Sequence, residues 1–141
     1  MKTFEGLVAG TIITNPTDGD MMISYTTYFS EDDTPVQCLE DEKSIWPAYQ
    51  FDPRDWEVKS VPYYWLDTDY HYGDYSVRKF ALIRGYFDED GEKDRNTEEA
   101  VVRGEYDDLD LEGRAEDEDC YDTIDDYIRS KIACVPDYEV N

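Results

Sequence analysis

The stretch FEGLVAGTIITNPTDGDMMISYTTYF, residues 4–29, is the part of the sequence that decides the fold class. Its first run, residues 4–14, is rich in apolar and β-branched side chains, and residues 15–20 are of the Asn, Pro, Asp and Gly types that favour turns. In the second run, 21–29, alternate residues from Ile23 to Phe29 share one face. Two extended runs joined by a turn predict a β-hairpin.

A central strand is predicted over Ser76–Phe87, where apolar residues occupy both faces. After an acidic loop, Ala100–Leu111 is predicted to return as a strand. A short helix that begins at Asn96 or Thr97 and ends at Gly104 stays open as an alternative for the first half of that return.

The C-terminal segment carries an apolar stripe with helical spacing. Tyr121, Ile124, Tyr127, Ile128 and Ile132 are three or four residues apart, which is typical of one face of an amphipathic helix. Acidic residues precede the stripe and basic residues lie near its end, the polarity that the helix dipole favours. We therefore predict a helix here.

These elements predict an α+β fold, mainly an antiparallel β-sheet with the C-terminal amphipathic helix packed on it. Between them, residues 31–75 hold four prolines, which disfavour long helices and indicate short strands and ordered loops. The length of 141 residues predicts a single domain over 1–141. An aromatic fraction of 15% supplies apolar area for a core in spite of the high charge.

The sequence favours a cytoplasmic protein with reduced thiols. Its three cysteines have no paired spacing, and its N-terminus does not resemble a signal peptide. The chain has no apolar run near the roughly 20 residues that span a membrane, so we expect no membrane association.

Motifs for chemistry are weak. The single histidine, His71, lies among Asp and Tyr residues, and a lone histidine is usually structural. An EF-hand register that starts at Asp88 places Gly91 at position 4 instead of 6, so a dedicated calcium site is not expected. The sequence contains no phosphate-binding glycine loop and no nucleophile motif. We expect no enzyme activity, no metal site and no cofactor.

Charge is the main functional clue. The chain has 36 acidic and 13 basic residues, a net charge of -23. Such a protein is repelled by nucleic acid and by anionic membranes, and it is attracted to basic surfaces. The expected partner is therefore a basic nucleic-acid-binding protein or a nuclease, without direct binding to nucleic acid. A homodimer stays open.

The acids are concentrated over residues 88–126, which hold 19 acidic and four basic residues. If 108–112 is extended, three carboxylates point outward at about 6.7 Å spacing, similar in scale to the repeat of phosphates along a nucleic-acid strand. A tyrosine among the acids adds a stacking face. The predicted binding residues are Asp88, Glu89, Asp90, Glu105, Tyr106, Asp107, Asp108, Asp110, Glu112, Asp122, Asp125 and Asp126.

In charge, size and tyrosine content, the chain resembles the acidic nucleic-acid mimics of phages and mobile elements, of the anti-restriction or anti-CRISPR type. The resemblance rests on composition and matches no motif, so it transfers no residue roles. It implies a stoichiometric inhibitor that blocks the basic cleft of a restriction or CRISPR effector in the cytoplasm of a host cell. Two alternatives are an immunity protein that neutralises a nuclease toxin and an acidic structural or salt-adapted protein.

Overall fold

The computed structural model describes residues 1–70, 78–109 and 118–140, without the side chains of 118–120. The chain divides into two compact units, each built from three separate segments. Unit 1 consists of Met1–Pro62, Phe87–Glu92 and Ala133–Pro136, and unit 2 consists of Tyr63–Tyr86, Lys93–Ile132 and Asp137–Asn141. The single domain predicted over 1–141 stays a prediction.

Unit 1 contains a five-stranded sheet whose order is β4-β3-β2-β1-β5. Its strands are β1 (Ile12–Asn15), β2 (Gly19–Phe29), β3 (Pro35–Glu40), β4 (Ile45–Pro47) and β5 (Glu57–Ser60), with 3₁₀ turns at Ala48–Gln50 and Pro53–Asp55. All four pairings in this sheet are antiparallel. The predicted hairpin is confirmed, but its first strand begins at Ile12, well after Phe4.

The core of unit 1 lies on one face of this sheet. Ile13, Ile23 and Leu39 are fully buried there together with Trp56, which is 2% exposed. The Trp56 ring meets the edge of Phe51 at a centroid distance of 6.0 Å. Packing of this kind is favourable for aromatic pairs and adds to the stabilisation from buried apolar area.

A bulge interrupts the β2–β3 pairing, but Thr27 and Phe29 stay on the face of Ile23, as predicted. Ile23 pairs with Leu39, and Thr27 pairs with Gln37, so β2 advances four residues while β3 advances two. Because side chains alternate along β3, Leu39, Gln37 and Pro35 share one face, and so do their partners Ile23, Thr27 and Phe29. Ile23 is fully buried, whereas Phe29, on the same face but not among the core residues, is 67% exposed.

Unit 2 contains a four-stranded sheet whose order is β8-β7-β6-β9. Its strands are β6 (Pro62–Asp67), β7 (Lys79–Phe87), β8 (Lys93–Glu105) and β9 (Glu139–Val140), and a 3₁₀ turn follows β8 at Tyr106–Leu109. β9 pairs with β6 in parallel. The central strand predicted over Ser76–Phe87 is confirmed as β7 from Lys79 on, and Ser76 and Val77 lie outside the described ranges. The return strand β8 begins at Lys93, earlier than the predicted Ala100.

The structure answers the two open points about the return strand. The helical alternative over 96–104 is wrong, because these residues belong to β8. The strand predicted to reach Leu111 ends at Glu105, because the next residue, Tyr106, turns inward. The Tyr106 amide donates to the carbonyl oxygen of Arg78 at 3.1 Å. The Tyr106 hydroxyl donates to the carbonyl oxygen of Thr68 at 2.7 Å.

Two glycines allow aromatic rings to lie across the sheet of unit 2. A methyl group on Gly85 would overlap the Tyr63 ring, and one on Gly104 would overlap the Phe80 ring. Neither glycine has a positive φ, so space for the neighbouring ring, and not backbone conformation, is what requires glycine at these positions. Aromatic rings laid over glycines fix the register of neighbouring strands.

The predicted C-terminal helix is confirmed as α1, Glu118–Lys131. Ile124 and Ile128, from the predicted apolar stripe, are fully buried. The structure thus confirms the coarse prediction of antiparallel-rich β-sheets with one short helix. No helix in the described ranges is long and apolar enough to cross a membrane.

Candidate acidic interface

The acidic residues are divided almost evenly between the two units. Unit 1 holds 16 acidic and four basic residues, a net charge of -12, and unit 2 holds 20 and nine, a net charge of -11. The acidic run over 88–126 is itself divided, because Asp88–Glu92 belongs to unit 1 and the remainder belongs to unit 2. Proximity in sequence therefore does not place these acids in one compact unit.

In unit 1 the acids concentrate at the turns between strands. Glu31, Asp32 and Asp33 lie between β2 and β3, and Asp41 and Glu42 lie between β3 and β4; all five are exposed. Only two of the 16 acids of unit 1, Asp20 and Asp52, form ion pairs within the part of the chain that the structure describes. Most of the negative charge of this unit is therefore not neutralised locally.

The acidic turns are held by their own hydrogen bonds. Asp88 Oδ1 accepts from the backbone amides of Asp90 and Glu92 at 2.9 and 3.0 Å. Asp41 Oδ1 likewise accepts from the amides of Lys43 and Ser44 at 2.8 and 2.9 Å. These Asx turns fix the backbone that carries the neighbouring carboxylates. The predicted residues Asp88, Glu89 and Asp90 all lie exposed on the first of them.

A groove lies between two of the acidic segments of unit 1. Its volume is about 540 Å³, and Ile12 and Met22 supply apolar surface within it. These two residues are cross-strand partners, and Met22 in turn pairs with Glu40. The remaining residues that line the groove are Asp20, Met21, Glu40, Asp41, Glu42 and Lys43. The groove combines an apolar surface with several carboxylates.

The predicted residues at the end of β8 have two different environments. Glu105 is half-buried in the last position of the strand, and Asp107 and Asp108 are exposed on the 3₁₀ turn. Tyr106 is 1% exposed, and its ring meets the edge of Phe80 at a centroid distance of 5.7 Å. Tyr106 therefore belongs to the core of unit 2 and does not offer a stacking face.

Two further predicted residues, Asp110 and Glu112, lie outside the described ranges. The extended geometry predicted for 108–112 does not apply to its first residue, because Asp108 belongs to the 3₁₀ turn that follows β8.

The three predicted helix residues also differ. Asp122 and Asp126, one turn apart, are exposed. Asp125 instead accepts from the Arg129 guanidinium at 3.0 Å and from the Tyr138 hydroxyl at 2.5 Å. Burial, followed by this bond to Asp125, raises the pKa of Tyr138. The carboxylate of Asp125 is thus already paired, whereas those of Asp122 and Asp126 face solvent.

A carboxylate in unit 2, Glu98, is the centre of a hydrogen-bond network that sequence reasoning missed. Its Oε2 accepts from the Tyr63 hydroxyl at 2.6 Å, the Arg95 guanidinium at 2.9 Å and the Trp65 indole at 3.2 Å. Burial raises the pKa of Glu98, but these hydrogen bonds outweigh it, and the net effect is a lowered pKa. Burial and then the bond to Glu98 raise the pKa of Tyr63 to about 12.

This network joins strands that are not neighbours in the sheet. Tyr63 belongs to β6 and Glu98 to β8, and the Tyr63 ring crosses β7 at Gly85. No spacing along the sequence reveals such a contact. The one sequence feature that pointed to this contact is Gly85 within an apolar strand, because an internal glycine often marks a place where another group lies close to the backbone.

Among the described residues, no group of three or more His, Cys, Asp or Glu side chains is arranged to hold a metal ion. His71 lies outside the described ranges. Cys38 is buried and Cys134 exposed, and both are free thiols. Burial raises the pKa of the Cys38 thiol, which disfavours the reactive thiolate form.

The chain matches no family model, no curated protein and no solved structure.

Proposed function

We propose that this protein is a stoichiometric inhibitor that mimics the charge of nucleic acid and blocks the basic cleft of a DNA- or RNA-binding protein, such as a restriction or CRISPR effector. The observation that carries the proposal is the charge of unit 1. This unit contains 16 acidic and four basic residues, and only two of the acids are in described ion pairs. Negative charge without local partners attracts a basic surface and accelerates association with it.

The geometry of the turns supports this role. A carboxylate on a fixed turn loses less conformational freedom on binding than one on a mobile segment, so more of the interaction energy is kept as affinity. Asp88 and Asp41 fix their turns by accepting backbone hydrogen bonds, while Glu89 and Asp90 on one turn and Glu42 on the other remain exposed.

The groove beside Met22 supports contact with lysine or arginine side chains. Both side chains have a long apolar stem and a cationic head. Ile12 and Met22 provide apolar contact for a stem, and Glu40 and Glu42 provide carboxylates for a head. The proposed role is binding, without catalysis or a cofactor, and its proposed location is the cytoplasm of a host cell.

We also infer that α1 packs on the sheet of unit 2. The Tyr127 ring meets the edge of Phe80, on β7, at a centroid distance of 5.7 Å, and the Tyr127 hydroxyl donates to the carbonyl oxygen of Arg103, on β8, at 3.4 Å. Ile124 and Ile128 are fully buried. A helix fixed in this way would hold Asp122 and Asp126 in one outward-facing pair.

Cleavage assays with a panel of restriction endonucleases, CRISPR nucleases and nuclease toxins test the proposal. We expect one target to be inhibited at a one-to-one ratio, with duplex DNA in competition and with relief at about 0.5 M NaCl, because salt screens the attraction. Inhibition of a nuclease toxin alone would instead identify an immunity protein.

The double variant Glu89→Gln/Asp90→Asn is expected to weaken this inhibition, because it removes two exposed charges and leaves the turn held by Asp88. Asp52→Asn is the matched control, since the Asp52 carboxylate is already paired with Arg54 at 2.7 Å. Inhibition that is indifferent to salt and to the double variant would rule out charge mimicry.

A further inference from the structure

The β2–β3 hairpin ends in a segment that combines exposed aromatic side chains with acids. This hairpin tip consists of residues 28–36 and lies beyond the bulge in β2. Phe29 is 67% exposed and Tyr28 is 45% exposed, and as neighbours in a strand they point to opposite sides. On the side of Phe29, its cross-strand partner Pro35 is also exposed, and an exposed apolar patch is a mark of an interaction site.

The apolar surface of the tip continues onto β3. Phe29 pairs with Pro35, and Tyr28 pairs with Val36. Ile23 and Leu39 pair within the core, whereas Phe29 and Pro35, on the same face further along the hairpin, lie outside the core cluster. Apolar side chains on the tip do not stabilise the core of the unit, so their presence there calls for another role.

The turn of the tip is both acidic and ordered. Glu31, Asp32 and Asp33 are exposed, and none of them forms an ion pair with any residue that the structure describes. The Ser30 amide donates to the Thr34 carbonyl at 3.0 Å, and the Asp33 amide donates to the Ser30 carbonyl at 2.9 Å. Three carboxylates are thus held beside the exposed aromatic rings.

We propose that the hairpin tip is the anchor of the complex, and that it inserts Phe29 into an apolar pocket bordered by lysine or arginine on the basic partner. Charge complementarity selects this occupant, because Glu31, Asp32 and Asp33 would repel an acidic rim and lose hydration against an apolar one. The inference rests on the proposed function and adds an aromatic anchor of the kind that dominates binding energy at interfaces.

Two peptides of equal positive charge test the anchor. One contains lysine separated by glycine, and the other contains lysine separated by leucine and tryptophan. We expect the chain to bind the second peptide more tightly in isothermal titration calorimetry, and Phe29→Ser to weaken that binding about 10-fold or more, as expected for an apolar side chain buried on binding.

Val58→Ser is the matched control, because Val58 is 42% exposed in the same unit but lies on β5, which β1 separates from the β2–β3 hairpin in the sheet. Neither variant changes a buried side chain, so both are expected to fold. In ¹⁵N NMR spectra, the second peptide is expected to shift the amide signals of residues 28–34.

Equal affinity for both peptides, with no greater effect of Phe29→Ser than of Val58→Ser, would overturn the anchor and leave the charge mimic standing. Failure of both peptides to bind would overturn both proposals. Binding of the second peptide that shifts only amides outside residues 28–36 would also overturn the anchor.

Discussion

The two units have almost the same net charge, but they differ in how many of their acidic residues are in ion pairs. In unit 1 the acids stand on turns, and only two of them are in described ion pairs. In unit 2 at least five acids are paired with cations of the same unit, among them Glu98 with Arg95 and Asp125 with Arg129. Net charge alone therefore does not show which carboxylates are available to a partner.

The units differ in this way because they contain different numbers of basic residues. Unit 2 has nine basic residues against four in unit 1. Its arginines also contact aromatic rings, as when Arg84 lies 4.5 Å from the centroid of Tyr86. In unit 2, many charged side chains thus contact one another or aromatic rings, whereas in unit 1 most acidic side chains have no described ion pair.

The largest expected effect concerns the aromatic crossing in unit 2. Gly85→Ala is expected to lower the free energy of unfolding by about 3 kcal/mol, because the added methyl group overlaps the Tyr63 ring and forces the sheet to adjust. Urea denaturation followed by tryptophan fluorescence measures the loss.

The double variant Gly85→Ala/Tyr63→Leu separates overlap from other causes. Because leucine leaves out the ring that the methyl group meets, the double variant is expected to be more stable than the sum of the two single losses predicts. Simple additivity would show that the ring and the glycine are not coupled.

The next effect is a pH dependence that arises in the same network. The pKa of Glu98 in the folded protein lies below its ordinary value of 4.5. The contribution of Glu98 to the free energy of unfolding is therefore present above pH 4.5 and is lost as the pH falls through the lowered pKa. Glu98→Gln is expected to cost about 2 kcal/mol at neutral pH and to flatten this part of the pH profile.

Tyr63 acts at the other end of the pH scale. The pKa of Tyr63 is raised from 10.0 to about 12 in the folded protein. Its contribution to the free energy of unfolding is therefore present below pH 10 and is lost as the pH rises towards 12. Tyr63→Phe should remove this alkaline loss in urea denaturation series. A loss of unchanged size in the variant would assign it to other groups.

The smallest effects compare one acid from each unit. Asp32→Asn, which removes an exposed charge without a described ion pair in unit 1, is expected to change the unfolding free energy by less than about 0.5 kcal/mol, towards higher stability. Asp125→Asn, which weakens the contacts with Arg129 and Tyr138, is expected to lower it by about 0.5 to 1 kcal/mol. Equal responses in thermal denaturation would contradict the contrast between the units.

Local patterns predicted the elements with strong periodicity. The hairpin around Asn15–Gly19, the apolar strand β7 and the helix stripe through Ile124 and Ile128 all follow from spacing within a few residues. The bulge after Ile23 was not predictable, because it depends on how β2 pairs with β3. The parallel pairing of β9 with β6 is likewise a contact between distant segments.

The candidate site was harder to predict than the fold. A count of acids along the chain located Asp122 and Asp126, which are exposed, but it also included Asp125, which is paired, and Tyr106, which is buried. It did not include Glu31–Asp33, which are exposed, because a run of three acids is short beside the run over 88–126. Pairing and burial are three-dimensional properties that a charge count does not contain.

Strand β8 also bears on how copies of this protein behave at high concentration. It is a 13-residue strand at the edge of its sheet, and such an edge is a template for aggregation through strand addition. Seven of its residues are charged, of both signs: Lys93, Asp94, Arg95, Glu98, Glu99, Arg103 and Glu105. A second strand could add there only by removing water from the exposed members of this set, so we expect β8 to resist strand addition and fibril formation.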